Sequence, residues 1–89
     1  MAKRNEKFGD LVSICLPAGM SLTAYAIHIG LDPKTLYRLR AGQRQGDTGP
    51  GFRDTTVVFL ADRMVELGSS REARITRIRS ALRRTFRAR

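Results

Sequence analysis

SLTAYAIHIGLDPKTLYRLRA, residues 21–41, decides how the rest of the chain is read. Ser21 is a good helix cap, because its hydroxyl can accept from an otherwise unpaired N–H of the first turn. Met20 before it and Tyr25 at the fourth helical position are placed for a hydrophobic staple. Leu22, Tyr25, Ala26 and Ile29 recur at helical spacing, and Gly30 supplies the stop. Asp32-Pro33 restarts a helix: Asp32 stands as its cap, and proline at the first helical position has no N–H to leave unpaired. In the second helix Leu36 and Leu39 face inward, which leaves Lys34, Thr35, Tyr37 and Arg38 outside. His28, between inward-facing neighbours and with no nearby nucleophile to serve, points to solvent.

With these residues in place, the stretch resembles the helix-turn-helix of Cro and phage-repressor DNA-binding proteins. Small Ala26 lies four residues before Gly30, apolar Leu31 follows it, and Leu36 and Leu39 come six and nine residues after it. Ala26 lets the second helix cross closely, Gly30 takes a left-handed backbone, and the leucines lock the pair. The match runs without a gap across residues 21–41, and the flanking segments extend it loosely.

The rest of the chain reads as one domain, residues 1–89, an all-α bundle of about five helices with the helix-turn-helix inside it. Residues 1–4 form a basic arm. Asn5 caps a first helix running to about Leu16, with Phe8, Leu11, Val12 and Cys15 on one face, ended by Pro17. Residues 42–53 are a glycine-rich loop; a hairpin wing lacks the alternation it would need. Thr55 to Phe59 has strand composition, but Val57, Leu60, Ala61 and Met64 keep helical spacing. A fourth helix is therefore expected over Asp54 to Leu67, capped by Asp54 or Thr55 and closing over the first and third. Ser69-Ser70-Arg71-Glu72 reads as a capping box for a last, amphipathic helix in residues 69–89, from about Arg71 to Phe86. Its apolar stripe is Ile75, Ile78, Leu82 and Phe86, and Arg71, Arg74, Arg77, Arg79, Arg83, Arg84, Arg87 and Arg89 fill most of the remainder.

Seventeen Lys and Arg against eight Asp and Glu give a net charge of +9, and fourteen of the cations are Arg. That balance suits a polyanion or an anionic surface, and guanidinium forks suit phosphate oxygens. One Cys excludes an internal disulfide, and with one His it argues against a zinc site. Cys15 reads as a small buried hydrophobe. The acids are scattered, and no nucleophile–base pair or phosphate loop is present, so no enzyme and no cofactor is expected. Leu11 to Leu16 is too short an apolar run for a signal peptide and follows Asp10. No stretch reaches the roughly 18 apolar residues of a membrane span. The expectation is a cytoplasmic, nucleoid-associated protein with no membrane partner and no small-molecule ligand.

The resemblance implies a double-stranded DNA partner, a homodimer and a regulator of transcription, most simply a repressor. It assigns base readout to Lys34, Thr35 and Arg38, and phosphate contact to Ser21, Thr23, Tyr37, Arg40, Gln43, Arg44 and Arg53. In the last helix, Ile78, Leu82 and Phe86 either dock on the core or form a dimer contact. Arg79, Arg83 and Arg84 are candidates for non-specific phosphate contact. Other readings stay open on sequence: a DNA-binding accessory protein of recombination or plasmid transfer, or an RNA-binding or protein-binding adaptor using the arginine helix.

Overall fold

The computed structural model describes residues 6–42, 54–68 and 70–87, of which the Arg87 side chain is outside the description. Within them are five α-helices, one 3-10 turn and no strand: α1 Phe8–Cys15, α2 Leu22–Ile29, α3 Pro33–Ala41, α4 Asp54–Arg63, the 3-10 turn Val65–Leu67, and α5 Arg71–Arg87. The Thr55 to Phe59 segment is helical, so spacing prevails over its strand-like composition.

The α1 helix buries Phe8, Leu11, Val12 and Cys15, the face that the i, i+3, i+4, i+7 spacing sets out. It begins later than expected. Lys7 occupies the cap position, and Asn5 lies outside the described residues. The cause is a pull from the other end of the chain. Glu6 is held by Arg77 Nε at 2.8 Å through its carboxylate and by Arg84 Nη1 at 3.1 Å through its carbonyl. The Phe8 N–H, which has no helical acceptor, donates to Thr85 Oγ1 at 2.9 Å. The Asp10 carboxylate reaches back to the Lys7 N–H at 2.9 Å.

The α2–turn–α3 unit follows the sequence closely. Ser21 Oγ accepts from Ala24 N at 3.1 Å, and Met20 packs half-buried against the core. Gly30 is left-handed with φ 83°, and the Leu31 N–H donates to Ala26 O at 2.8 Å, which closes the helix end. Ala26 and Leu36 are fully buried, as a close crossing requires. Asp32 stands at the cap position, but its carboxylate makes no cap bond; the backbone Asp32 O, accepting from Leu36 N at 3.1 Å, starts α3. A second left-handed glycine, Gly42 at φ 79°, ends α3.

The fourth helix differs from expectation in its end, its cap and its neighbours. It stops at Arg63, and Met64 breaks from helical geometry into the 3-10 turn. An uninterrupted helix would pair Ala61 O with the N–H four residues on. Here Arg74 Nε takes that carbonyl at 2.6 Å, and its Nη1 takes Gly68 O at 3.3 Å. Asp54 is inside the first turn rather than capping it. The α4 helix lies chiefly against α5, while α1 is covered by α3, α5 and the 3-10 turn.

The cap of α5 is Ser70, whose Oγ accepts from Ala73 N at 3.1 Å. Glu72 is therefore one position short of closing the expected box. Ile78, Leu82 and Phe86 are 0%, 3% and 7% exposed and complete the core of their own chain. The reading of these three as a dimer contact is thereby corrected, since they present no surface to a second copy. Among the described residues, no helix is long and apolar enough to cross a membrane.

Candidate nucleic-acid interface

The α3 helix turns Leu36 and Leu39 into the core and leaves Lys34, Tyr37 and Arg38 exposed. Lys34 and Arg38 are four residues apart and lie one above the other on one face. Neither has a hydrogen-bond or ion-pair partner among the described residues. Thr35 is half-buried, so only its edge is available.

At the start of α2 the structure joins two residues that the sequence reading placed independently. Thr23 Oγ1 and Tyr37 Oη are 3.2 Å apart, with either able to donate. This bond ties the outward face of α3 to the first turn of α2. Ser21 Oγ accepts from Ala24 N, and the N–H groups of Leu22 and Thr23, at the start of the helix, have no helical acceptor. The positive end of the α2 dipole adds to them. Ser21, Thr23 and Tyr37 thus form one polar edge beside the Lys34–Arg38 face. Sequence offers no sign of the Thr23–Tyr37 bond, because the two residues meet only through the crossing angle of the helices.

Arg40 belongs elsewhere. It is two residues past Arg38, on the far side of α3, with its stem running beside Gly9 of α1. It borders a separate hollow of about 420 Å³ with Lys7, Asp10, Gly42 and Thr85. Gln43, Arg44 and Arg53 lie outside the described residues. A cation that the sequence reading passed over is Arg63, whose guanidinium sits 4.1 Å from the Phe59 ring centroid. A Cβ on Gly30 would come within 3.8 Å of that same ring, so Arg63 is held near the α2–α3 turn. The four-residue spacing of Phe59 and Arg63 is the signal that would have found it.

The arginines of α5 are mostly occupied. Arg71 forks onto Asp62 at 2.8 and 3.2 Å, Arg74 and Arg77 donate to carbonyls around the α4 end, and Arg79 pairs with Asp54 at 3.0 Å. Arg84 donates to Glu6 O. Of the three non-specific phosphate candidates, Arg79 and Arg84 are therefore engaged, and Arg83 stands exposed without a partner among the described residues.

In the core, the Tyr25 hydroxyl is buried without a hydrogen-bond partner of good geometry. Burial, then the Cys15 thiol beside it, pushes its pKa well above the usual phenol value. Burial likewise raises the Cys15 thiol, which keeps it protonated and unreactive near neutral pH. Among the described residues no group of three or more His, Cys, Asp or Glu is placed to hold a metal ion. His28 is exposed, as its position predicts. The chain matches no protein-family model, no curated protein and no solved structure.

Proposed function

We propose that this chain is a sequence-specific double-stranded DNA-binding regulator of transcription, a cytoplasmic repressor that binds an inverted repeat as a homodimer. The observation that carries the reading is that Lys34 and Arg38 share one face of α3 and are unpaired, while nearly all described arginines of α5 are bonded within the chain. Cations kept free on one short helix suit selective contact; cations spent internally do not.

In this reading α3 enters a major groove about 12 Å wide. Arg38 forks onto guanine O6 and N7, Lys34 reaches guanine or the adjacent phosphate, and the Thr35 methyl touches a thymine methyl only at its exposed edge. The polar edge of Ser21, Thr23 and Tyr37 rests on a phosphate at the groove wall, where the α2 N-terminus favours negative charge. Two such units, their α3 helices about 34 Å apart, read two half-sites, and occupancy alone blocks polymerase. The internal bonding of the α5 arginines weighs against the RNA reading that their number invites.

Selection of bound duplexes from a random pool tests the proposal. A two-fold symmetric site is the expected outcome, and Arg38→Ala then loses about 1–3 kcal/mol on it with relaxed preference at one position per half-site. Enrichment of no sequence would remove the proposal. Undiminished binding by Arg38→Ala would remove the base contact assigned to that residue.

A further inference from the structure

A groove of about 600 Å³ runs along the outer face of α5, bordered by Glu6, Glu72, Thr76, Arg77, Ser80 and Arg84. It is open, so it does not enclose a small ligand, and its charge sets it apart from the rest of the chain. Two acids and two bases line it, a balance of zero in a protein of net charge +9. Within it Glu6 and Arg77 satisfy one another at 2.8 Å. Glu72, at one end, has no partner among the described residues. Arg84, at the other, uses Nη1 on Glu6 O and keeps its remaining donors. Thr76 and Ser80, between them, are small.

We infer that this groove is the self-association surface of the chain, filled by α5 of a second copy running antiparallel. The fit follows from the register. The groove asks for a helix that offers a base opposite Glu72 and an acid opposite Arg84, about 18 Å further along at 1.5 Å per residue. The α5 helix read backwards is such a helix. A two-fold axis at the level of residue 78 sets Glu72 against the other copy's Arg84, and Thr76 against its Ser80. The same contacts recur on both sides, as a closed two-fold dimer requires. The small central pair lets the helix axes approach to about 8 Å. Ile78 itself faces the other way, into its own core. This surface would supply the dimer that the DNA reading calls for, but it is argued and tested without DNA, so either can fail alone.

The test is a charge exchange in the full chain, read by sedimentation equilibrium in the absence of DNA. The wild-type chain is expected to dimerise with rising concentration. Glu72→Arg alone sets Arg against Arg84, and Arg84→Glu alone sets Glu against Glu72; each should weaken the dimer at least about tenfold. Mixed together, the two variants regain both opposite-charge pairs and should form heterodimers. Thr76→Arg, at an exposed position with no hydrogen bond or ion pair among the described residues, should block association outright and keeps the test valid if Arg84→Glu fails to fold. A wild-type chain that stays monomeric to millimolar concentration overturns the inference. So does a dimer indifferent to Glu72→Arg and Thr76→Arg, which would place the interface on another face or another partner in this groove. A mixture of folded single variants that stays monomeric overturns it as well.

Discussion

Arg77 and Arg83 look interchangeable in the sequence, but the structure bonds Arg77 into the fold and leaves Arg83 exposed, a difference that substitution can separate. The Glu6 side chain is only 7% exposed and its carboxylate is held by Arg77 Nε at 2.8 Å, while Arg77 Nη1 donates to Leu67 O at 2.7 Å. Arg77→Met keeps the apolar stem but strands that carboxylate and removes a donor from the carbonyl. Breaking a fully buried pair from one side costs about 3–5 kcal/mol. The Arg77 side chain is 38% exposed, so water can reach the vacated side of the carboxylate, and about 2–3 kcal/mol is the expected loss. In a domain of this size that lowers Tm by roughly 10–20 °C. Adding Glu6→Gln should recover part of the loss, because no uncompensated charge then remains. Arg83→Ala should stay within about 0.5 kcal/mol of wild type. If the chain binds DNA as proposed, the effect of Arg83→Ala falls on non-specific binding, where the dependence of log K on log salt should fall by about one. Urea unfolding followed by circular dichroism, beside a salt titration of binding, reads both. Arg77→Met with wild-type stability, or Arg83→Ala as costly as Arg77→Met, would refute the assignment of these side chains.

Gly30→Ala and Gly42→Ala both place a side chain at positive φ, at a backbone cost of about 1 kcal/mol. The new methyl meets nothing closer than 3.8 Å at Gly30 but comes within 3.2 Å of Thr85 Cγ2 at Gly42, so Gly42→Ala should prove the more destabilising by denaturant midpoint. Tyr25→Phe removes a buried hydroxyl that has no good partner, so it should leave stability within about 1 kcal/mol of wild type or raise it; a loss above about 2 kcal/mol would mean the hydroxyl is satisfied in solution. Cys15 and Tyr25 both have raised pKa values when folded, so the folded state holds its protons longer than the unfolded chain does. Stability should therefore be intact below about pH 9 and fall above it, and Tyr25→Phe should flatten the decline above about pH 10 in a series of melts.

The parts of the fold that were legible in the sequence are those whose causes are local. Ser21, Gly30 and Pro33 each act within four residues of themselves, and α2, its turn and α3 lie where those residues put them. The buried faces of α1 and α5 follow from periodicity for the same reason. Misplaced boundaries trace to partners distant in the chain. Helix α1 starts late because α5 holds Glu6, and α4 stops early where Arg74, thirteen residues on, takes the Ala61 carbonyl. The α5 cap lies one residue from the expected box, because two serines stand side by side and spacing to Glu72 does not single out Ser70. At the candidate interface, exposure of Lys34 and Arg38 was legible as the complement of Leu36 and Leu39. The separation of Arg40 was not inferred, although its two-residue step from Arg38 carries it.

The arginines of α5 then bear on what the charge means. A chain of this length buries a thin core, and the end of α4 would leave carbonyls uncapped at its edge. Guanidinium groups answer both needs: their stems cover apolar surface, and their donors reach Ala61, Leu67 and Gly68 across the helix boundary. Three carboxylates, Glu6, Asp54 and Asp62, are neutralised by the same helix. A good part of the basic excess on α5 is thus explained by folding, and to that extent it ceases to argue for a polyanion. The DNA reading must then stand on the few cations that the fold leaves unused, and those described on α3 are Lys34, Arg38 and, on its other side, Arg40. A protein gripping DNA by charge alone would keep its cations free where they are most numerous. This one ties them down there and leaves Lys34 and Arg38 free beside a capped helix end, the arrangement that selective contact requires and bulk attraction does not.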